Sequence, residues 1–512
     1  MAWGIADRAR RTPDQIALWC GDLRVTWARL SDDVARVAGA LSNAGVAEGD
    51  RIAIVAENSY ETVVAHLGAL HSGAVSVPVS YHLTAAELAY IVGDSGARTV
   101  FASSRTAGTA LAASARVPSG PAVVAWGTGE PGTISWESFL DSAPQGFVPG
   151  DVMVHAGIAY TSGTTGFPKG VDLARLSGGP VPLSGYLEQQ RENPFARHGP
   201  HLVAGPLYHM GPLNGVKAVA VGTPLVVMPK FDAEAVLAAV DEHRIGSSVM
   251  VPTHFFRLDS LPPEVKQRYD VGSLEFVSHT GAACPAWLKR KMISWWGPVL
   301  VEAYGATESG TVCRISSSEW LERPGSVGRV IAPVRRAFAV DADDNELPAG
   351  EIGQLYFERT DGLGVEYLGD PGKSLAANRP GGGFTLGEIG KVDPDGYVYI
   401  TDRATDMILS GGVNIYPAEC EAVLLSHSDV LDAVVVGMPD DEMGEKVVAV
   451  VVRDKGSTLD AQQLLAYCRQ SLSPVKCPRV FHFVDDLERN AMGKVRKADV
   501  RRRLAGTETH LR

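Results

Sequence analysis

The sequence predicts an α/β chain followed by a smaller α+β unit. Three observations predict it. Short, continuously apolar runs alternate with helical stretches through much of the first part of the chain. From about residue 334 to 402 helical periodicity gives way to brief β-like runs between turn signals. Beyond 402 a compact set of two strands and two helices follows. Apolar runs of strand length between helices are the mark of parallel sheets covered on both faces.

Residues 51–56 (RIAIVA) read as a buried strand and 61–70 as a helix. Then come strand 74–79, helix 85–92 and strand 98–102. After residue 200 the pattern resumes with strand 223–228, helix 233–243, strand 247–251, strand 274–278, helix 286–296 and strand 299–303. Short runs at 338–340, 354–357 and 397–400 lie between turn dipeptides such as Asp344-Asn345 and Asp395-Gly396, which suggests a smaller antiparallel subdomain. The last unit has strands 433–436 and 447–452 and helices 417–426 and 460–471. No long low-complexity linker separates the blocks, so the hinge must be short and lie near 402–406.

Composition narrows the classes. The 512 residues carry 47 Lys and Arg against 59 Asp and Glu, a net charge of −12. That balance argues against non-specific binding to nucleic acid or to anionic lipid. It leaves room for a local basic groove. Gly and Pro total 86 residues, high for a globular chain, yet 45% of residues are apolar, enough for a large core. The six cysteines are scattered with no C-x-x-C pair, so a reducing, cytoplasmic setting without disulfides or structural zinc is expected. Residues 1–18 are charged throughout and do not read as a signal peptide. No apolar run reaches the ~18–20 residues of a membrane helix.

The sharpest local feature is Tyr160-Thr161-Ser162-Gly163-Thr164-Thr165-Gly166-Phe167-Pro168-Lys169-Gly170. Glycines without Cβ atoms let backbone N–H groups close around phosphate oxygens, hydroxyls add donors, and Lys169 adds a mobile positive charge. It is not a Walker A loop, because Gly170 rather than Ser or Thr follows the lysine.

The order of residues in this loop resembles the phosphate-loop signature of the adenylate-forming superfamily, which holds acyl-CoA synthetases, peptide-synthetase adenylation domains and luciferases. Tyr304-Gly305-Ala306-Thr307-Glu308 resembles its aromatic-Gly-x-Thr-Glu motif. Residues 390–421 resemble its ribose-binding and hinge region, and Arg489-Asn490-Ala491-Met492-Gly493-Lys494-Val495 its catalytic-lysine motif. Within the superfamily, SGGVNIYPAE and RNAMGK look most like fatty and aromatic acyl-CoA ligases. The resemblance implies two doubly wound α/β subdomains and a small β-barrel-like subdomain in a domain spanning 1–404, and a mobile C-terminal domain spanning 405–512 that swings about Thr405.

The resemblance also implies roles. ATP would lie against Thr161, Ser162, Gly163, Thr164, Thr165, Gly166 and Lys169, with Gly281, Ala282 and Ala283 lining adenine and the acyl group. Tyr304 would stack on adenine beside Gly305, Arg403 would bond ribose, and Asp402 would serve the hinge. Glu308 and Thr165 would hold Mg²⁺, with Thr307 on phosphate or metal, and Lys494 would reach the acyl–phosphate junction. After domain rotation Gly411 and Gly412 would pass the pantetheine of CoA, and His209 would gate the acyl and thiol channel. No carrier domain is expected after Lys494, so CoA is the expected acceptor, with a carrier protein in its place left open.

Glu388 departs from the family, which normally has Asp at the ribose position. Two readings stay open: a tolerated conservative change, or weakened use of ATP in an enzyme that takes an acyl-adenylate from a partner enzyme. A non-catalytic acyl-adenylate or acid binder is the third alternative. Segments 209–214, 251–255 and 279–283 should wall a pocket for a hydrophobic acid with some bulk, be it fatty, aromatic or terpenoid. No cation stands out in those segments. A homodimer is compatible with the resemblance.

Overall fold

The computed structural model describes residues 4–127, 129–161, 169–173, 179–367, 370–380, 382–403, 406–410, 413–440, 443–489 and 495–509. The chain folds as a mixed α/β protein with a large N-terminal part and a smaller C-terminal part. A five-stranded parallel sheet, in the order Val75–Pro78, Arg51–Val55, Thr99–Ser103, Ala122–Trp126, Ile134–Ser135, forms the first layer. Its helices start where the sequence supplies caps. Ser59 accepts the Thr62 amide at the start of helix Tyr60–Ser72, and Thr84 with Glu87 forms a capping box on helix Ala85–Ser95.

The second sheet has thirteen strands. Its parallel part runs Ile16–Cys20, Leu225–Val227, His201–Val203, Ser247–Met250, Phe276–His279 and Leu300–Ala306. The chain then reverses through Gly310–Ser316, and the antiparallel strands Ser326–Val330, Val398–Arg403, Glu388–Val392, Gly353–Arg359 and Val334–Val340 continue the same order. The β-rich segment is thus an extension of the main sheet, joined edge to edge.

Helices Trp27–Asn43 and Tyr60–Ser72 lie between the two sheets, and one core cluster draws on Ile52 and Ile54 from the first sheet and Val203, Leu225 and Val227 from the second. The two helices pack so closely that a Cβ on Gly68 would overlap the Val37 side chain. Beneath the second sheet lies an ion pair: Lys289 Nζ donates to Glu302 Oε2 at 2.6 Å and sits 4.6 Å from the Trp320 ring. Burial lowers the lysine pKa and raises that of Glu302, and each partner opposes the shift of the other.

The C-terminal part has its own core around Ile408, Val435, Ala449, Leu464 and Cys468. Strands Val430–Asp440 and Gly444–Arg453 form its central hairpin, with Val480–Val484 added in parallel. All six cysteines are unpaired. Among the described residues no helix is long and apolar enough to cross a membrane.

Two predictions follow from this core. Glu302→Ala should destabilise the fold by about 3–5 kcal/mol, because it strands a buried ammonium, while Lys289→Met with Glu302→Leu should recover most of the loss in denaturant titrations. Burial also holds His66, His71, His201 and His254 down to about 3. These rings fold neutral, whereas the unfolded chain protonates them near 6.5, so the unfolded state binds more protons below that pH. The melting temperature should therefore be flat between pH 7 and 8 and fall progressively as pH drops from 6.5 towards 3; a melting temperature independent of pH from 7 down to 4.5 would contradict this.

Candidate active site

The C-terminal ends of the parallel strands open onto a cavity of about 2030 Å³. Its wall is assembled from several directions, one of them the side of the first sheet with His66, Ser76, Pro78 and Val79. Segment Tyr208–Gly211 and helix Asn214–Ala220 form a second side, Thr280, Gly281, Ala303, Gly305 and Thr307 a third, and Arg489 with Val495–Asp499 of the C-terminal part a fourth.

Segment Tyr208–Gly211 is positioned by Asn58, from the loop that follows strand Arg51–Val55. Its side-chain amide donates to the carbonyls of Gly205 and Met228, both at 2.9 Å, and accepts the Leu207 amide at 2.7 Å. His209 follows two residues later and lines the cavity, its ring 4.3 Å from that of Tyr208.

Tyr304 stands near the end of strand Leu300–Ala306. Its hydroxyl donates to Glu388 Oε2 at 2.8 Å, and its ring leans on Phe357 at 5.9 Å. Glu388 is buried, and in the ladder its Cα partner is Arg403. The residues expected at adenine and at ribose are therefore neighbours. Gly305 is required here, since a Cβ would run into the Gly310 carbonyl. Ser309 ties off the turn after it by accepting the Ala306 amide at 3.2 Å. Thr307 lines the cavity and half-buried Glu308 is the next residue of the turn.

The glycine-threonine loop is carried by a hairpin in which Lys169 pairs with Thr161 and Gly170 with Tyr160. Tyr160 lines the cavity and its hydroxyl donates to Asp94 Oδ2 at 2.7 Å, which fastens the hairpin to helix Ala85–Ser95. Burial and then this bond raise its pKa. Ser162, Gly163, Thr164, Thr165 and Gly166 lie outside the described residues, as do Thr405, Gly411, Gly412 and Lys494.

Both flanks of Lys494 are anchored. Arg489 makes two bonds of 2.6 Å to the Asp432 carboxylate, and Lys497 pairs with Glu421 at 3.0 Å. Asp402 is buried, and its Oδ2 accepts the Ala418 amide at 2.8 Å, so it caps helix Pro417–Leu424 from the strand before the hinge.

Several expectations fall elsewhere. Gly281 lines the cavity with φ of +89°, a left-handed conformation suited to glycine. Ala282 is half-buried and Ala283 exposed, and neither is in the wall. Segment 251–255 is not a wall: Val251 and Phe255 are buried, with Phe255 packed against Trp296 at 5.9 Å and His279 at 5.5 Å. The reason is that helix Pro252–Asp259 turns this face into the core. Sequence reading also missed Lys217, which lines the cavity from helix Asn214–Ala220.

Comparison with known proteins agrees with this build. The AMP-binding enzyme family matches residues 5–368 and the AMP-binding enzyme C-terminal domain matches 419–494. The chain belongs to the AMP-binding enzyme family. It is 32% identical over 491 residues to the long-chain-fatty-acid–CoA ligase FadD13 of Mycobacterium tuberculosis, covering 95% of this chain and 94% of that protein. It is 33% identical over 507 residues to a feruloyl-CoA synthase of Amycolatopsis, covering 97% of each. ATP-bound MatB from Rhodopseudomonas palustris superposes with a TM-score of 0.79 at 29% identity, covering 97% of this chain and 98% of that one.

The Tyr304–Glu388 contact makes a prediction. Glu388→Asp retracts the carboxylate by one methylene and leaves the Tyr304 hydroxyl without it. Losing a hydrogen bond to a charged group costs about 1.5–3 kcal/mol, so the variant should unfold at lower denaturant, and with Tyr304 no longer held by this carboxylate its KM for ATP should rise. Unchanged or tighter ATP use in steady-state kinetics would contradict it.

Proposed function

We propose that this protein is an AMP-forming acid–thiol ligase that joins a hydrophobic, bulky carboxylic acid to CoA through an acyl-adenylate. The observation that carries the reading is the Tyr304–Glu388 pair on the sheet whose strand ends open into the cavity, with the flanks of Lys494 in the wall. Relatives named CoA ligases and synthetases along nearly the full chain support it.

In this reading adenine stacks on Tyr304 and ribose bonds Glu388 and Arg403. Residues Thr161–Gly166 and Lys169 meet the phosphates. Charge on the phosphate oxygens grows as the carboxylate attacks, so these residues act by position and electrostatic stabilisation. Lys494 meets the acyl–phosphate junction, a task suited to a compact ammonium. Mg²⁺ fits as a partner of ATP. Among the described residues no cluster of three or more ligating side chains exists, but an ion carried on phosphates needs only one or two protein ligands, which Glu308 and Thr165 supply. The ion neutralises phosphate charge when bound.

The break between the two family matches, 5–368 and 419–494, supports domains 1–404 and 405–512 with a hinge at Thr405. Rotation there withdraws Lys494 and brings Gly411 and Gly412 to the channel gated by His209. Tyr208, Met210, Leu213 and Val216 give the acyl pocket its apolar wall.

The test uses a panel of acids with ATP, Mg²⁺ and CoA, read as pyrophosphate release and thioester formation. Lys494→Ala should lower acid-dependent pyrophosphate release by about 10²–10³-fold, yet still make thioester from a synthetic acyl-adenylate and CoA. Equal loss of both half-reactions, or of neither, would overturn the assignment of Lys494.

A further inference from the structure

The cavity extends well below the strand ends. Thr280 and Gly281 stand at the C-terminal end of strand Phe276–His279, whereas Phe276 opens that strand and also lines the cavity. Four residues of strand span about 13 Å. At the deep end Phe276 packs on Phe195 with ring centroids 5.2 Å apart, and Val249 and Ala218 complete the same apolar cluster.

Lys217, the residue before Ala218 on helix Asn214–Ala220, also lines the cavity. Its ammonium has no hydrogen-bond or ion-pair partner among the described residues. Desolvation lowers its pKa, and no acid offsets the shift. Lys289, which is fully buried, has Glu302 at 2.6 Å, whereas Lys217 is half-buried in the cavity wall with no such acid among the described residues. The acids in the cavity wall are committed elsewhere: Glu87 to Thr84, Glu192 to Arg197, Asp406 to Arg501 and Asp499 to Arg502. A cation held in an apolar pocket without a counter-charge is costly, and such a group calls for an explanation. The counter-charge left to supply is the ligand's own.

We infer that the acid activated here is a dicarboxylic acid, whose reacting carboxylate lies at the strand ends and whose second carboxylate, across an apolar spacer, pairs with Lys217. This rests on the acid-activating reading above and names its substrate class. The second carboxylate completes an ion pair in a site of low dielectric, where such a bond is strong and its absence is penalised. The apolar residues between the two ends accept the spacer.

The experiment compares aryl and alkyl monoacids with the matching diacids, over a series of spacer lengths, in the full-length enzyme with ATP, Mg²⁺ and CoA. At least one spacer should give a diacid-to-monoacid ratio of kcat/KM well above one. Lys217→Met should lower that ratio about 100-fold, and Lys217→Arg should keep it above one. Lys217→Met should also melt no lower than the wild type, since an uncompensated charge is removed, which a purely structural lysine would not show. Binding gives a readout independent of turnover: the best diacid alone should raise the melting temperature of the wild type and not that of Lys217→Met. Absence of turnover with every acid, alongside that Lys217-dependent shift, would sink the ligase reading and keep the diacid site. A wild-type ratio at or below one across the series, or a ratio unmoved by Lys217→Met, would overturn the inference.

Discussion

One buried amide holds the two sheets in register with each other. Asn58 leaves the first sheet at the end of strand Arg51–Val55 and meets two strand ends of the second, bonding Gly205, Leu207 and Met228. Both amide protons and the carbonyl oxygen are used, so no other residue type of that size fits all three groups. The shared core around helices Trp27–Asn43 and Tyr60–Ser72 supplies bulk cohesion, which is non-directional. Asn58 supplies direction. It fixes where the chain turns towards His209, and hence where one wall of the cavity stands.

The opposite wall is fixed by a different economy of polar groups. Strand Leu300–Ala306 carries Glu302 downward to Lys289 and Tyr304 towards Glu388. Successive residues of one strand face opposite sides of a sheet, so residues 302 and 304 share a face and are tied at two levels. The lower tie is a buried charge pair and the upper one a hydrogen bond near the C-terminal end of the strand. Thr307 and Glu308 extend from a strand already held along its length.

Much of this was legible in the sequence. Helices Ala233–His243 and Ala286–Trp296 match their predicted bounds, because each begins at a clear signal: Asp232 accepts the Ala235 amide, and Pro285 precedes the other. Strand Ile16–Cys20 was not legible as part of the large sheet, since its parallel partner Leu225–Val227 lies two hundred residues away. The acyl wall was half legible. Apolar residues at 251–255 and at 213–216 look alike in sequence, but only the second group borders empty space. Periodicity separates inside from outside and does not separate core from cavity. Lys217 escaped for the same reason, as one cation within an apolar helix. The phosphate loop and the lysine motif were recognised from their order of residues, and the anchoring of Arg489 by Asp432 needed the folded chain.

Asp402 ties the two parts of the chain together. Its carboxylate belongs to the last strand of the large part, and the amide it caps belongs to the first helix of the small part. A helix cap of this kind is worth about 1 kcal/mol. A swing about Thr405 that carried helix Pro417–Leu424 away would uncap it, so the arrangement seen here starts with roughly a fivefold statistical advantage from this contact alone. Such a bias is small enough for a ligand to reverse.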